Sequence, residues 1–193
     1  MIGLIRHGLT DWNYEYRAQG HTDIPLNEDG RRQAESLAKR VKGEEWDCIY
    51  SSDLSRALET ARIIGMSKNL EVKTDQRLRE MNCGLIEGTT EQERVSKWGY
   101  GWSKLDLGIE STDEIISRAV NCLTEISERH ADKKVLIVSH GAVIGLTLKK
   151  LIPHVIMEEP LENASLTILN RNENRWDCQL YNCTTHLIAT QNE

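Results

Sequence analysis

MIGLIRHGLTDWN, residues 1–13, is the segment from which the architecture of this chain can be predicted. Four apolar residues and a glycine lead directly into Arg6, His7 and Gly8, and a polar turn follows. This pattern predicts a short buried strand over residues 2–6 with reactive side chains at its carboxyl end. Ligands of open α/β sheets bind at the carboxyl ends of the strands, so we expect other segments to bring partners to His7.

Two further strand-to-helix units repeat this arrangement. Residues 47–51 predict a short strand, and the helix that follows carries Arg56 near its start. Residues 134–139, KVLIVS, form a continuous β-branched run that is typical of a central parallel strand, and His140 follows it directly. Because parallel strands of one sheet end at the same edge, two histidines and two arginines are expected to converge in one pocket.

The remaining elements continue the alternation of strands and helices, with no internal repeat and no low-complexity linker. Apolar residues at helical spacing predict helices over residues 27–43, 54–65, 111–130 (with Thr112 as its N-cap) and 142–152. Shorter strands are expected at residues 70–73, 164–170 and 176–181, with a hairpin turn at 172–175. Residues 8–26 are interpreted as a long ordered loop, and residues 89–110 as a short helix with a mobile connection. The pattern predicts a single α/β domain over residues 1–193.

Composition excludes several classes of protein. The 193 residues are 39% hydrophobic and 28% charged, with a net charge of −6, which disfavours general nucleic-acid binding. No apolar run approaches the roughly 18 residues that span a membrane. Arg6 and His7 interrupt the N-terminal apolar run, so no signal peptide is predicted and the cytoplasm is the expected compartment. Five cysteines without CxxC spacing indicate reduced thiols rather than a zinc or redox site.

The expected pocket is suited to a phosphate group. Guanidinium groups match phosphate oxygens in geometry and charge, as Arg6 and Arg56 would do here. Helices that begin just after Ser52 and His140 add backbone N–H donors and a favourable dipole. A histidine among these groups either accepts a phosphoryl group as a nucleophile or helps to hold one.

Cleavage of a phosphate ester also requires a proton for the departing alkoxide. Glu80 is the first candidate for this acid because it precedes a glycine-containing turn from which it would enter the pocket from the side. Glu87, at the end of the same turn, is the second candidate. A salt bridge to Arg77 or Arg79 is the structural alternative for Glu80.

Five blocks of this sequence resemble the histidine phosphatase superfamily, in its phosphoglycerate-mutase-like branch. The blocks are LIRHGLTDWN at 4–13, QGHTDIPLNEDGRRQA at 19–34, SSDLSRALETA at 51–61, LREMNCGLIEG at 78–88 and VLIVSHGAVI at 135–144. A lone Arg-His-Gly would be a weak signal, whereas five blocks in the family's order are specific. The resemblance implies a three-layer α/β/α sandwich with a mostly parallel central sheet.

The resemblance also implies roles for the residues of the pocket. His7 would be the nucleophile that becomes phosphohistidine, while Arg6, Arg56 and His140 would hold the phosphoryl oxygens. Glu80 would act as general acid and then as base for the attacking water. The family works without a metal, since the arginines and the second histidine supply the positive charge, and no cofactor is expected for this chain.

Further positions match the substrate side of the family's site. Asn13 matches a residue that touches phosphate, Gln19 and Gly20 match the substrate-side loop, and Gly141 follows the second histidine. The chain departs from the family at Leu9, where many members carry an acidic residue after Arg-His-Gly. This departure is expected to alter the substrate side of the site rather than the binding of phosphate.

Several residues have structural interpretations beside functional ones. Trp98 and Trp102 are equally suited to the core and to a lid over the substrate, and His21 is equally suited to loop structure and to substrate contact. A metal site of His7, His21 and His140 is disfavoured because the nearby arginines would repel a cation. No function is expected for Arg62, His130, His154 and His186.

Three functions are compatible with these residues. The favoured one is a phosphomonoesterase for a small phosphorylated metabolite, with neither nucleic acid nor membrane as partner. A cofactor-dependent phosphoglycerate mutase is the second, disfavoured because only 60 residues separate Glu80 from His140, which is too few for a full lid. The third is a non-catalytic phosphate-binding module of the same fold. The sequence leaves open the substrate and the oligomeric state, for which a homodimer is one option.

Overall fold

In a computed structural model that describes residues 1–155, 159–172 and 175–188, one mixed sheet forms the centre of the molecule. Its strand order is β3-β2-β4-β1-β5-β6. The first four strands in that order are parallel, and β5 and β6 are added antiparallel at one edge. The strands are β1 (Ile2–Arg6), β2 (Cys48–Ser51), β3 (Val72–Thr74), β4 (Val135–Ser139), β5 (Leu166–Asn172) and β6 (Arg175–Cys183).

Helices cover both faces of this sheet. The helices of the described residues are α1 (Asp11–Tyr14), α2 (Glu28–Lys42), α3 (Ser55–Lys68), α4 (Glu91–Trp98), α5 (Thr112–Arg129), α6 (Gly141–Leu151) and α7 (Thr185–Ile188). Helices α2 and α3 pack on one face, and α5 and α6 pack on the other. The predicted three-layer α/β/α sandwich with a mostly parallel sheet is thus confirmed, whereas the single-domain division of the chain stays a prediction.

The two faces alternate along each strand, because successive side chains of a strand point in opposite directions. Leu4 of β1 and Ile137 of β4 belong to the core that contains the apolar residues of α5 and α6. Ile5 and Leu136, one position away, belong to the core beneath α2 and α3. Strands buried on both faces therefore appear in the sequence as continuous apolar runs.

The parallel register brings the strand ends level. Arg6 at the end of β1 pairs with Ser139 at the end of β4, and Ser51 at the end of β2 pairs with Val138. The residues that follow these strands therefore emerge together at one edge of the sheet. His140 is the N-cap of α6, so this helix begins at the same edge.

The structure corrects several predicted boundaries. The loop predicted over residues 8–26 contains α1, which Thr10 and Asn13 start with a reciprocal capping box. Ser111, not Thr112, caps α5, because its side chain accepts the N–H of Glu114. Helix α3 continues three residues beyond Gly65 and ends where Asn69 adopts a left-handed conformation.

The last two strands also differ from the prediction, because β5 is shifted by two residues and β6 is longer. The strands predicted at 164–170 and 176–181 are observed at 166–172 and 175–183. Of the hairpin turn predicted at 172–175, residues 173 and 174 lie outside the described residues.

Two expectations from composition can be compared with the structure. All five cysteines are free thiols. Within the described ranges, no helix is both long enough and apolar enough to cross a membrane.

The loop after β1 depends on a close contact with the first turn of α2. A Cβ atom added at Gly8 would lie 2.4 Å from the carbonyl oxygen of Gly30, and one added at Gly30 would lie 2.1 Å from the carbonyl oxygen of Leu9. Both distances are far below van der Waals contact, so the two glycines allow the backbones to touch beside His7.

We predict that Gly30→Ala lowers the free energy of unfolding by about 1–3 kcal/mol, since the added methyl group has no space. Urea denaturation measures this change. Gly43→Ala is the matched control, because nothing lies within 4 Å of a Cβ at that helix end, and its effect should stay within about 0.5 kcal/mol. Equal effects of the two substitutions would contradict the proposed contact.

Candidate active site

His7 is buried at the carboxyl end of β1, with one ring nitrogen held by the backbone. Its Nδ1 lies 2.7 Å from the carbonyl oxygen of Gly8. A carbonyl only accepts, so Nδ1 donates and carries the proton, and Nε2 of the neutral ring keeps its lone pair. The N–H of His7 donates to the carbonyl of Ser139, which ties this residue to β4. The backbone thus fixes the imidazole, whose Nε2 keeps its lone pair, and His7 lines the cavity described below.

The surroundings of His7 keep its ring neutral. Burial lowers the pKa of His7 well below its usual 6.5, and the positive charges of Arg56 and Arg6 lower the pKa further. Only the neutral imidazole has a lone pair for attack on an electrophile. The positive charges of the two arginines thus have two effects. They attract an anion, and they keep the neighbouring histidine unprotonated.

His140 lies beside His7, with ring centroids 5.2 Å apart and ring planes inclined by 59°. Its Nε2 lies 2.8 Å from Oγ of Ser52, a hydroxyl that also accepts the N–H of Leu54. In the tautomer in which this hydroxyl donates to Nε2, the ring proton is on Nδ1. That Nδ1 atom is buried and has no partner, so it can donate to a bound anion.

Arg6 and Arg56 are each held by carbonyl groups at one end of the guanidinium. Arg56 is fully buried, and its two Nη atoms donate to the carbonyls of Thr22 and Gly20 at 3.0 and 2.8 Å. Arg6 donates from Nη1 to the carbonyl of Leu161. The Nε atoms of both arginines are buried without a partner. Each side chain is therefore oriented by the protein while part of its donor capacity stays unused.

The buried side-chain nitrogen and oxygen atoms that have no hydrogen-bond partner within the described residues all belong to predicted site residues. They are Nε of Arg6, Oε1 of Gln19, Nε of Arg56 and Nδ1 of His140. A buried donor without a partner costs about 1–3 kcal/mol, and more for a charged group. Such a cluster is expected where a ligand completes the hydrogen bonds.

A cavity of about 320 Å³ lies at this position, and we call it the cationic pocket. Its lining includes Arg6, His7, Arg56 and Glu80, which are thus brought together as the sequence predicted. His140 adjoins the pocket through its contact with His7. The volume is at the small end of the range for ligand sites in proteins.

Glu80 enters the pocket from a loop that the side chains of His21 and Arg118 hold in place. Its carbonyl oxygen accepts hydrogen bonds from Nε2 of His21 at 2.7 Å and from Nη2 of Arg118 at 3.1 Å. Its carboxylate accepts the N–H of Met81 at 2.9 Å and forms no salt bridge with Arg77 or Arg79. These two arginines instead pair with Asp75 and Asp53 respectively.

Glu87 has a different position and is not among the residues that line the pocket. Its carboxylate accepts the N–H groups of His21, Thr22 and Cys83. Burial by itself raises the pKa of Glu87, but the hydrogen bonds from Thr22, His21 and Cys83 outweigh it and hold the pKa below its usual value. Glu87 is thus an ionised anchor for the loop that carries Gly20.

Of the four outer residues predicted from the family, Gly141 lines the neighbouring cavity, and the other three line the cationic pocket. Asn13 and Gln19 line it, and Oδ1 of Asn13 accepts the N–H of Thr10, which leaves its amide NH₂ free for the pocket. Gly20 also lines it, with φ of +52°, and a Cβ there would lie 2.0 Å from Oε1 of Glu87. Gly141 begins α6, where a Cβ would lie 3.3 Å from Nε of Arg6.

Sequence reasoning missed Asn163, a buried residue that supports the backbone of His7. Its Nδ2 lies 3.0 Å from the carbonyl oxygen of His7 and 3.3 Å from Oδ1 of Asn13. The next residue, Ala164, has a φ of +54° and donates its N–H to the carbonyls of Arg6 and His7. An asparagine before a strand resembles an ordinary turn, so no local signal distinguishes this contact.

The two tryptophans differ in their relation to the pocket. Trp102 lines it beneath the guanidinium of Arg94, 4.8 Å from the ring centroid, and Trp98 does not. Both rings pack against the buried cluster of Cys83, Ile86 and Leu107. His21 supports the Glu80 loop, as described above. The residues expected to have no function lie elsewhere: Arg62 and His154 are exposed, His130 contacts Tyr50, and His186 contacts Ala164.

The described residues were also compared with the requirements of a metal site. Across the residues that the structure describes, no three His, Cys, Asp or Glu side chains are grouped so that they could hold a metal ion. His21 of the disfavoured metal triad is instead bonded to the backbone of Glu80.

Comparison with known proteins identifies the family. Residues 2–184 match the model of the histidine phosphatase superfamily (branch 1), and the chain belongs to this superfamily. Phosphoglycerate mutase-like protein 4 of Arabidopsis thaliana is 34% identical over 98% of this chain and 87% of its own length. The uncharacterized phosphatase PhoE of Bacillus subtilis (strain 168) is 35% identical over 96% of each chain. The predicted family is therefore confirmed.

A solved structure supports the same assignment. A phosphoserine phosphatase mutant from Entamoeba histolytica, in complex with phosphoserine, superposes with a TM-score of 0.81 at 30% identity. The match covers 96% of this chain and 98% of that one.

We predict that the His7 imidazole stays neutral in the folded protein at pH values well below 6.5, because burial and two arginines disfavour its protonation. Two-dimensional ¹⁵N-histidine NMR measures this, with His7→Ala identifying the signal. The ring should titrate near pH 6.5 in the urea-unfolded chain. Since the folded pKa is the lower one, the stability contributed by neutral His7 is present above pH 6.5 and decreases as the pH falls below it. A folded-state titration near 6.5 would contradict the electrostatic description of the pocket.

Proposed function

We propose that this protein is a metal-independent phosphomonoesterase that hydrolyses a small phosphorylated metabolite through a phosphohistidine on His7. The observation that carries the proposal is the cluster of buried, unpartnered donors on Arg6, Arg56 and His140 beside a neutral His7. A phosphoryl group fits such a site because its oxygens accept several hydrogen bonds at once and its charge complements the two guanidinium groups. A relative that binds phosphoserine supports this class of ligand.

In the first step, the Nε2 lone pair of His7 attacks phosphorus and the phosphorus–oxygen bond to the alcohol breaks. Glu80, protonated at this point, gives its proton to the departing alkoxide. Arg6, Arg56 and His140 stabilise the charge on the three equatorial oxygens. The products are the free alcohol, the phosphohistidine and an ionised Glu80.

In the second step, water attacks the phosphohistidine. Glu80 now takes a proton from the water as general base, and the phosphorus–nitrogen bond breaks. Phosphate leaves, and His7 and Glu80 return to their starting protonation states. No metal is required, because positive side chains supply the charge that Mg²⁺ supplies in other phosphoryl transfers.

Hydrolysis is favoured over a mutase reaction because the segment that covers the pocket is short. A mutase has to keep water away from phosphohistidine, whereas the segment over this pocket consists of α4 and a single turn at Trp102–Lys104. The relatives include proteins described as phosphatase and as mutase-like, so a direct assay is needed. Efficient conversion of 3-phosphoglycerate to 2-phosphoglycerate with a bisphosphoglycerate primer would favour the mutase.

We predict that His7→Ala abolishes turnover of p-nitrophenyl phosphate and the acid-labile ³²P label that brief incubation with a labelled substrate leaves on the wild-type protein. The loss follows because alanine has no nitrogen to accept the phosphoryl group. Arg62→Ala, an exposed control on α3, should keep both signals. A wild-type protein that binds phosphate but turns over no phosphoester would instead support the non-catalytic binding module.

We predict that Glu80→Gln slows hydrolysis of alkyl phosphates by about 10²–10⁴-fold, because their alkoxides require a proton on departure. The same substitution should slow the first step with p-nitrophenyl phosphate far less, since nitrophenolate leaves without protonation. Single-turnover release of each alcohol measures both rates. The exposed Glu45→Gln serves as control and should change neither. Equal losses on the two substrates would count against Glu80 as the acid.

A further inference from the structure

A second cavity, of about 560 Å³, adjoins the cationic pocket along α6, and we call it the α6 groove. The two cavities share Arg6, Glu80 and Ala142, so they meet at the proposed acid. One wall is the face of α6 that carries Ala142, Gly145 and Leu146, and the opposite wall is formed by Pro160, Leu161 and Tyr181. The groove is larger than the pocket, and apart from Arg6 and Glu80 its lining residues have no part in the phosphoryl chemistry described above.

The position of the groove relates it to the leaving group. In an in-line displacement, the leaving oxygen lies opposite the attacking nitrogen and next to the acid that protonates it. Glu80 lines the groove but His7 does not, although both line the cationic pocket. The groove therefore begins where the alcohol part of a substrate would leave the phosphoryl group.

The wall opposite α6 is fastened to its surroundings. Tyr181 donates its hydroxyl to the carbonyl of Glu159, and Nδ2 of Asn182 donates to the carbonyl of Pro160. Leu161 is held in turn by its carbonyl contact with Arg6. A preformed wall lowers the entropy that a bound ligand would otherwise have to compensate.

The floor and the charges of the groove define what it would accept. Nothing lies within 4 Å of a Cβ atom added at Gly145, so the helix leaves open space there. The lining between the ends is mostly apolar, and Lys149 and Glu159 place opposite charges along the rest. These features suit an elongated alcohol with an apolar body more than a second anionic group.

We propose that the α6 groove binds the leaving group of the substrate, so that this protein prefers phosphomonoesters of long, largely apolar alcohols. The proposal rests on the proposed function for its identification of the leaving group. It assigns Gly145 as the residue that sets the length of alcohol accepted, since a larger side chain there would fill the groove.

The test uses n-alkylphosphonates from ethyl to octyl, which resist hydrolysis, and isothermal titration calorimetry. Affinity for the wild-type protein should rise by up to about fourfold for each methylene that enters the groove. Gly145→Ala should weaken this dependence and Gly145→Leu should remove it, so that the octyl-to-ethyl affinity ratio falls at least about tenfold. The same ratio of kcat/KM, measured with n-alkyl phosphates, should fall in parallel.

Controls separate the possible outcomes. Gly43→Leu introduces the same side chain where a Cβ also meets nothing within 4 Å, and it should leave the ratios unchanged. Thermal denaturation checks that each variant is folded. Affinity that does not depend on chain length, or a dependence lost in Trp102→Ala but kept in Gly145→Leu, would overturn the groove assignment. Because phosphonate binding needs no turnover, an absence of hydrolysis would refute the proposed function without deciding the groove.

Discussion

Burial of positive charge without a full set of protein partners is the constraint on which the rest of this structure depends. Arg56 has no exposed surface, and burial lowers the pKa of both Arg56 and Arg6 while nearby carboxylates, Glu80 first, oppose that effect. Side chains of this kind are tolerated inside a protein only when their geometry is imposed and their charge is compensated. Here carbonyl groups impose the geometry, and a bound anion would complete the compensation.

The surrounding fold maintains this arrangement through contacts that are distant in sequence. The level ends of β1 and β4 set His7 beside His140, and Ser52 at the end of β2 orients the second ring. Asn163 and Ala164 hold the backbone of the first histidine from the antiparallel edge of the sheet. Residues at the ends of β1, β2 and β4 and just before β5 thus fix the positions of the two histidines. Such fixed positions preorganise a site for its ligand.

The same construction separates two glutamates that are close in sequence. Glu80 lines the cationic pocket and belongs to a loop that His21 and Arg118 hold in place. The carboxylate of Glu87 instead accepts hydrogen bonds from backbone N–H groups of the loop that orients Arg56. One carboxylate therefore faces the pocket, and the other supports the loop whose carbonyls hold Arg56. The α6 groove meets the pocket at Glu80, so the proposed leaving-group site and the proposed acid adjoin there.

The sequence by itself determined the α/β architecture, the family and the approach of Arg6, His7, Arg56 and His140. It could do so because buried parallel strands and strand-end residues leave local patterns, and because level strand ends follow from a parallel sheet. Only the tertiary structure decided which glutamate faces the pocket, that Asn163 supports His7 and that a groove opens at Gly145. These features depend on contacts between segments far apart in the chain, such as the 156 positions between His7 and Asn163, and such contacts have no periodicity that a sequence can display.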